Sequence, residues 1–214
     1  MDPSRSDTDH LLDLAAAGDQ DAWGTLLARH RCRLHSMISL RLDQRLQGRI
    51  DPSDVLQEAF LAASLQLKDY AKDRAIPFFL WLRLVAGQKL VALHRHNLGK
   101  QMRDAGREVA LYQGALPQAS STALAARLLG REAAPSEAAI RAEVALRLET
   151  ALNAMDPLDR EVLVLRHFEQ LSNAEAAEVL NIQASAASKR YVRALRRLKS
   201  ILQGMPGGMQ EWQP

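Results

Sequence analysis

The feature of this 214-residue sequence that most constrains its fold is a pair of helices joined by a tight turn near the C-terminus. Ser172 is followed three residues later by Glu175, and this spacing predicts a capping box that starts the first helix. Asn181 then follows Val179 and Leu180, where a short turn needs a left-handed residue, a conformation that Asn tolerates well. The sequence therefore predicts a helix that stops near residue 181 and another that starts shortly afterwards.

The second helix, predicted over residues 186–202, combines one apolar face with a strongly basic remainder. Apolar or small residues recur at helical spacing, at Ala187, Tyr191, Ala194, Leu195, Leu198, Ile201 and Leu202. The remaining positions carry the cations Lys189, Arg190, Arg193, Arg196, Arg197 and Lys199. Because no acidic residue lies between Glu178 and Glu211, we expect these cations to lack carboxylate partners and to suit phosphate binding. A plain solvated face is the alternative, although such faces usually mix both signs of charge.

Composition sets a few limits on the class of protein. The formal net charge is only +3, so the basic character is local to the C-terminal helix. A single cysteine, Cys32, cannot form an internal disulfide. No apolar run approaches the roughly 20 residues that span a bilayer, and no signal-peptide pattern opens the sequence. We therefore expect a cytoplasmic protein without direct membrane insertion.

An upstream block, from about residue 9 to 96, shows helical periodicity and no alternating strand pattern, so the predicted fold class is all-α. Asp51 before Pro52 is a favourable helix start, since Pro lacks the N–H that a first helical position leaves unused. That helix runs to about Leu67. The polar stretch 68–76 is predicted to be a loop, and a further helix opens near Pro77.

The pattern weakens between residues 99 and 135, where Gly, Pro, Ser and Gln interrupt short apolar pieces. A new block starts near Ser136, and Asp156 before Pro157 predicts the cap of a helix over residues 158–168. The expected organisation is two small helical domains, 8–98 and 136–203, joined by a flexible linker, 99–135, and followed by a flexible tail, 204–214. We expect four helices in the second domain.

Three motifs, in this order, resemble those of bacterial sigma factors of the extracytoplasmic-function (ECF) group, the minimal members of the sigma-70 family. Residues 54–61, Asp-Val-Leu-Gln-Glu-Ala-Phe-Leu, are similar to the signature of region 2.2. Residues 77–86 are similar to the aromatic-x-x-Trp-Leu run of regions 2.3 and 2.4. The third motif is the helix-turn-helix described above, which ends in residues 190–198. Each motif is weak alone, but their order and spacing make the resemblance specific across both helical blocks.

The resemblance implies a dissociable subunit of RNA polymerase that needs no cofactor and is not an enzyme. Residues 8–98 would form sigma domain 2, which would bind the clamp helices of the largest polymerase subunit and would read and melt the minus-10 element of promoter DNA. Residues 136–203 would form sigma domain 4, which would read the minus-35 element and touch the flap of the second-largest subunit. An anti-sigma factor is a further partner that the family implies.

Asp54, Gln57 and Glu58 fall at i, i+3 and i+4 and therefore share one helix face, beside the apolar positions Leu56 and Phe60. The resemblance assigns this face to polymerase binding. A solvated face is the plain alternative. Acid-base catalysis or metal binding would need a histidine or a third acid at a recognisable spacing, and none joins these residues.

The aromatic run predicts contacts with single-stranded DNA. Phe78, Phe79 and Trp81 cannot all face one core, since adjacent helix positions diverge by about 100°, so we expect Trp81 in the core and at least one aromatic exposed. Exposed aromatics beside cations capture unstacked bases. By resemblance, the loop 68–76 would hold a flipped base. The predicted minus-10 contacts are Tyr70, Phe78, Phe79, Arg83, Lys89, His94 and Arg95.

The predicted minus-35 contacts are Ser185, Ser188, Lys189, Arg190, Arg193 and Arg197. Gln183 stands where the family usually has a Ser cap, so Ser185 is predicted to cap the helix instead. Upstream, Gln88 and Ala92 replace the common Asn and Asp, and the family's minus-10 preference is therefore not carried over at these positions. Arginine pairs with guanine edges or with phosphates, and both interpretations stay open here.

His30, Cys32 and His35 are residue types that bind zinc. Positions 30 and 32 lie about 200° apart on a helix, and no fourth ligand is visible, so no metal site is predicted.

The alternative function is a helix-turn-helix regulator that acts without polymerase. Such a protein would share the C-terminal motif but would not need the face at residues 54–58 or the aromatic run.

Overall fold

The computed structural model describes residues 3–98, 116–130 and 138–203, and every regular element within these ranges is a helix. The predicted all-α fold class is therefore confirmed. The chain divides into two compact units, residues 1–116 and 117–214.

The described part of the first unit contains four helices: α1 Pro3–Ala16, α2 Gln20–Arg41, α3 Pro52–Asp73 and α4 Phe78–Leu98. Side-chain caps fix two of their starts. The Asp19 carboxylate accepts from the backbone N–H groups of Asp21 and Ala22, and the Asp51 carboxylate accepts from Ser53 at 2.7 Å. Each cap satisfies amides that the first helical turn leaves without a partner, and the Asp51 cap starts α3 where the sequence predicts.

The core of this unit is formed by apolar residues from all four helices. They include Leu12, Leu26, Leu34, Met37, Ile38, Leu56, Ala63, Leu82 and Leu90, each less than 3% exposed. Helix α4 is buried along most of its length, with six consecutive buried residues from position 78 to 83. A helix that is apolar nearly all round packs against neighbours on several sides.

The predicted loop 68–76 is wrong over most of its length, because α3 continues to Asp73 and the connection is only residues 74–77. Leu67 is buried and Tyr70 half-buried, so the inward face of α3 extends past the point where the sequence turns polar. The helix ends at Arg74, which has a left-handed φ of 46°. The Arg74 guanidinium forms ion pairs with Asp13 and Asp9 of α1, which fixes this short connection.

The second unit contains α5 Ser121–Leu128, α6 Ala138–Asn153, α7 Pro157–Leu163, α8 Asn173–Leu180 and α9 Ala184–Gln203. A π-helical turn, Val164–Phe168, continues α7. Asp156 caps α7 as predicted, with its carboxylate accepting from the N–H groups of Leu158 at 2.8 Å and Asp159 at 3.2 Å.

Helix α5 lies inside the stretch predicted to be linker, so that prediction is wrong for residues 121–128, whereas the described part of the predicted second domain, residues 138–203, contains four α-helices as expected. Leu124 is fully buried. Arg160 of α7 connects the helices through hydrogen bonds to the Ser121 hydroxyl at 2.9 Å and the Asn153 side-chain oxygen at 3.2 Å. The polar contacts that hold α5 are distant in sequence, so local composition did not reveal them.

Candidate nucleic-acid interface and partner-binding face

The turn between α8 and α9 has the geometry that its sequence predicts. The Ser172 hydroxyl accepts from the Glu175 N–H at 3.2 Å, and the Glu175 carboxylate accepts from the Ser172 N–H at 2.7 Å. Asn181 is left-handed, with φ 51° and ψ 47°. The side-chain amide of Asn173 donates to the Ala184 carbonyl at 2.8 Å and so ties the start of α8 to the start of α9. The two helices are therefore held in a fixed helix-turn-helix arrangement.

Helix α9 buries one narrow face and exposes the rest. Ala187, Ala194 and Leu198 are buried, and the Tyr191 ring lies 5.3 Å from the Arg166 guanidinium. The exposed side carries an open groove lined by Ser188, Lys189, Val192, Arg193 and Arg196. This face has the residue types that read DNA, namely cations, hydroxyls and one apolar group.

The expectation that the cations of α9 lack carboxylate partners is wrong for two of them. Arg190 is half-buried, and its Nη1 lies 2.6 Å from Oδ1 of Asp159 and 3.4 Å from Oδ1 of Asp156. Arg193 Nη1 lies 3.4 Å from the other oxygen of Asp159. Both acids belong to the start of α7, more than 30 residues upstream, so the absence of acids within the helix itself was not sufficient evidence.

The other predicted minus-35 residues are exposed. Ser185, Ser188, Lys189 and Arg197 all lie on the solvent side of α9, as does Arg196, which was not among the predicted contacts. Within the described residues, no ion pair involves Lys189, Arg196, Arg197 or Lys199. The predicted Ser185 cap is wrong, because α9 begins one residue earlier, at Ala184.

Phe78, Phe79 and Trp81 are all buried, so the expectation that at least one of them is exposed is wrong. Phe78 packs on Trp23 and Trp81, whereas Phe79 packs on His30 at 5.4 Å and lies under the Arg33 guanidinium at 3.5 Å. The 100° divergence along the helix is real, but α2 and α3 cover different sides of α4: the two phenylalanines contact α2, and Trp81 stacks on Tyr70 of α3. None of the three rings is available as an exposed platform for a base.

Three further predicted minus-10 residues are largely withdrawn from solvent. Tyr70 is half-buried: its ring stacks on Trp81 with centroids 4.4 Å apart, and its hydroxyl donates to the Ile76 carbonyl at 2.9 Å. Arg83 and His94 are buried. The His94 Nε2 accepts from the Asp43 N–H at 3.3 Å. These contacts assign structural roles to Tyr70 and His94.

Burial of His94 lowers the pKa of its imidazole below 6.5, and the neighbouring Asp43 carboxylate only partly opposes this shift. The Arg45 guanidinium, bound to Asp43 at 2.9 Å, lowers the pKa of that carboxyl to about 2. His94 is therefore neutral at pH 7, as its role as acceptor requires.

The exposed side of α4 lies in its C-terminal half. Gln88, Ala92 and Arg95 are exposed at i, i+4 and i+7, and Lys89 is half-buried beside them. Lys89 and Arg95 are thus the predicted minus-10 residues that remain accessible. Gln88 and Ala92 lie on the same stripe.

The exposed face of α3 carries the predicted trio Asp54, Gln57 and Glu58, all exposed. Sequence reasoning missed two residues on this face: Leu61 is 68% exposed and Leu65 is 85% exposed. At 100° per residue, the five side chains form one stripe about 16 Å long, acidic at its start and apolar at its end. The signal in the sequence was apolar residues out of phase with the buried positions 56, 59, 63 and 67.

His30, Cys32 and His35 do not form a shared site. His30 packs on the two phenylalanines, Cys32 is exposed, and His35 Nδ1 lies 3.3 Å from the Ser39 hydroxyl. Within the described ranges, no cluster of three His, Cys, Asp or Glu side chains could hold a metal ion. In the same ranges, no helix combines the length and apolar character needed to cross a membrane.

Comparison with known sequences finds one family model and several relatives, all of the same class of protein. The family model described as sigma-70, region 4, matches residues 145–198, which contain the helix-turn-helix. The chain is 32% identical over 200 residues to the RNA polymerase sigma factor CnrH of Cupriavidus metallidurans, covering 92% of this chain and 95% of CnrH. It is 30% identical over 185 residues to the ECF RNA polymerase sigma factor SigD of Mycobacterium tuberculosis, covering 86% of this chain and 79% of SigD.

Comparison with solved structures agrees. The fold is similar to that of CnrH in its complex with the cytosolic domain of CnrY, with a TM-score of 0.54 and 27% sequence identity. The match covers 94% of this chain and 99% of that one.

Proposed function

Because the chain belongs to the ECF group of the sigma-70 family, we propose that it binds core RNA polymerase and directs initiation at promoters through two DNA-reading surfaces, one in each unit. The observation that carries this proposal is the helix-turn-helix of α8 and α9, which presents an exposed cationic face from a rigidly capped turn. That arrangement allows a helix to enter the major groove while phosphates are neutralised along its sides.

The minus-35 surface is the exposed side of α9. Ser185, Ser188 and Val192 would contact base edges, and Lys189, Arg196 and Arg197 would contact phosphates or guanines. Arg190 is not proposed as a DNA contact, because its guanidinium forms ion pairs with Asp159 and Asp156. Arg193 is retained because its side chain is 64% exposed despite the contact with Asp159.

The minus-10 surface is the C-terminal half of α4 together with the connection 74–77. Lys89 and Arg95 would supply positive charge for the DNA backbone, and Gln88, next to Lys89, has an amide that can donate and accept. The aromatics at the start of α4 are buried in the core, so they are not proposed to stack on bases. A flipped base would have to be held by the short connection, where Ala75 and Pro77 are exposed.

The polymerase-binding surface is the α3 stripe of Asp54, Gln57, Glu58, Leu61 and Leu65. Asp54 and Glu58 form no ion pair within the described residues, so a cationic partner would meet unneutralised carboxylates. The exposed leucines would bury apolar area on binding, which contributes about 25 cal/mol per Å². This face therefore suits a partner helix with basic and apolar residues, as expected of a polymerase clamp.

Regulation by an anti-sigma factor is part of the proposal. It is supported by the solved complex of the relative CnrH with the cytosolic domain of CnrY. A partner that covers the α3 stripe would exclude polymerase by competition for the same side chains.

The proposal is tested by capturing genomic DNA fragments on the chain alone, on core polymerase alone, and on both together, followed by permanganate probing of unpaired thymines. We expect enrichment of a small fragment set, with reactive thymines at one fixed position, only when both components are present. A Gln57→Ala, Glu58→Ala double variant should lose this enrichment while domain 2 remains folded by circular dichroism. Enrichment of the same fragments by the chain alone would instead identify a polymerase-independent regulator.

A further inference from the structure

One carboxylate outside the helix-turn-helix touches two arginines of the DNA-facing helix. Asp159 of α7 is 4% exposed, and its two oxygens divide between Arg190, at 2.6 Å, and Arg193, at 3.4 Å. Its own N–H is bound by the Asp156 carboxylate at 3.2 Å. The acid is thus held by its backbone and by burial, and both arginines meet a fixed group.

The two arginines differ in how far their side chains are exposed to solvent. Arg190 is half-buried and bridges Asp159 and Asp156, so it fastens α9 to the start of α7. Arg193 contacts the same carboxylate from a side chain that is 64% exposed, and it also lines the groove with Ser188 and Val192. Arg193 therefore links the buried acid to the DNA-facing groove.

A carboxylate beside a DNA-facing cation has opposing effects. Its charge weakens attraction to phosphate, which lowers affinity for all sequences alike. Its fixed position also restrains the guanidinium of Arg193 through the ion pair at 3.4 Å, and a restrained arginine loses less side-chain freedom when it binds a guanine edge. Only the second effect favours one sequence over another.

We propose that Asp159 is a positioning residue that orients Arg193 toward the bases of the minus-35 element. It thereby increases sequence discrimination and lowers general DNA affinity. This inference rests on the proposed function, since it requires α9 to enter the minus-35 element. It places a determinant of specificity on α7, outside the two helices of the motif.

The test compares full-length chains bound to core polymerase, using a captured promoter fragment and the same fragment with a scrambled minus-35 element. For Asp159→Asn we expect the ratio of the two affinities to fall about tenfold, in the range of one bidentate base contact. Affinity for the scrambled fragment should be unchanged or higher. Glu178→Gln is the matched control: it removes one exposed acid of α8 and should leave the ratio unchanged.

Arg193→Lys keeps the charge and the ion pair between Arg190 and Asp159, and it keeps the proposal open to refutation even if Asp159→Asn does not fold, because an unchanged ratio would show that Arg193 is not the discriminating residue. This variant should lose the same discrimination while its scrambled-fragment affinity is retained, since lysine lacks the planar fork. In the double variant, Asp159→Asn should add no further loss. An unchanged ratio in either folded single variant would overturn the proposal. A wild-type complex that does not distinguish the fragments would instead count against the proposed function.

Discussion

Helices α9 and α4 were both expected from sequence to contact DNA, but they use their side chains in different ways. Helix α9 buries a narrow stripe and leaves most of its predicted contacts exposed, whereas α4 buries Phe78, Phe79, Arg83 and His94 and leaves only its C-terminal half open. The difference follows from composition: α9 places cations on all but one face, and α4 is apolar nearly all round. Amphipathic character is therefore a better guide to an exposed surface than the presence of aromatic and basic residues.

The strongest test of this contrast is removal of a ring from α4. Trp81→Ala should lower the free energy of unfolding by about 3–5 kcal/mol, because it leaves a cavity beside Tyr70 and Phe78. Val192→Ala on the exposed side of α9 should change it by less than about 0.5 kcal/mol. Urea denaturation followed by circular dichroism measures both values. A Trp81→Ala protein as stable as the wild type would show that the ring is not part of the core.

Within α9, the exposed and the ion-paired arginines should differ in how they affect DNA binding and stability. Replacing Arg196 and Arg197 by Gln should reduce the slope of log affinity against log salt by about one unit for each phosphate that is no longer neutralised. Arg190→Gln should leave the slope unchanged and instead lower stability by about 1–3 kcal/mol, since it removes a partner of the buried Asp159. Fluorescence anisotropy of promoter binding over a salt series distinguishes these effects. A flatter slope for Arg190→Gln would restore this residue as a DNA-binding residue.

The contrast between exposed and buried side chains also applies to α3, whose exposed stripe is proposed to bind polymerase. Leu65→Ser should weaken binding to core polymerase by about tenfold, since a buried leucine contributes about 1.5–3 kcal/mol and only part of that is available at an interface edge. Its stability should change by less than about 0.5 kcal/mol. Leu67→Ser, at a buried position two residues later, should instead unfold domain 2. Equal polymerase affinity for Leu65→Ser and the wild type would limit the interface to the polar trio.

The smallest expected effect is a pH dependence from His94. Burial lowers the pKa of His94 in the folded state, whereas in the unfolded chain the imidazole has its ordinary pKa of about 6.5. Between these two pKa values the unfolded chain therefore binds more protons than the folded chain. Stability should be fully present above the unfolded pKa and should fall as the pH decreases toward the folded pKa. Asp43 and Arg45, the charged groups beside the ring, keep their charges throughout this range. In His94→Gln, stability between pH 7 and 5.5 should vary less than in the wild type.

The parts of the structure that sequence predicted correctly are local. The Ser172 capping box, the left-handed Asn181 and the Asp51 and Asp156 caps each depend on residues within a few positions of one another. The parts that it missed depend on distant partners. Phe79 is covered by His30 and Arg33, and Arg190 is paired with an acid 31 residues away. A single sequence does not state which of its helices will be neighbours, so burial and ion pairing between helices could not be read from it.

The central claim is that this chain supplies promoter recognition to RNA polymerase. Its most direct test is transcription of a genomic DNA library by purified core polymerase with and without the chain, with transcript starts mapped by sequencing. We expect the chain to create a set of start sites that share two upstream elements at constant spacing, and Arg196→Gln with Arg197→Gln to reduce them all. A folded chain that adds no start sites, or that adds starts without shared elements, would contradict the claim.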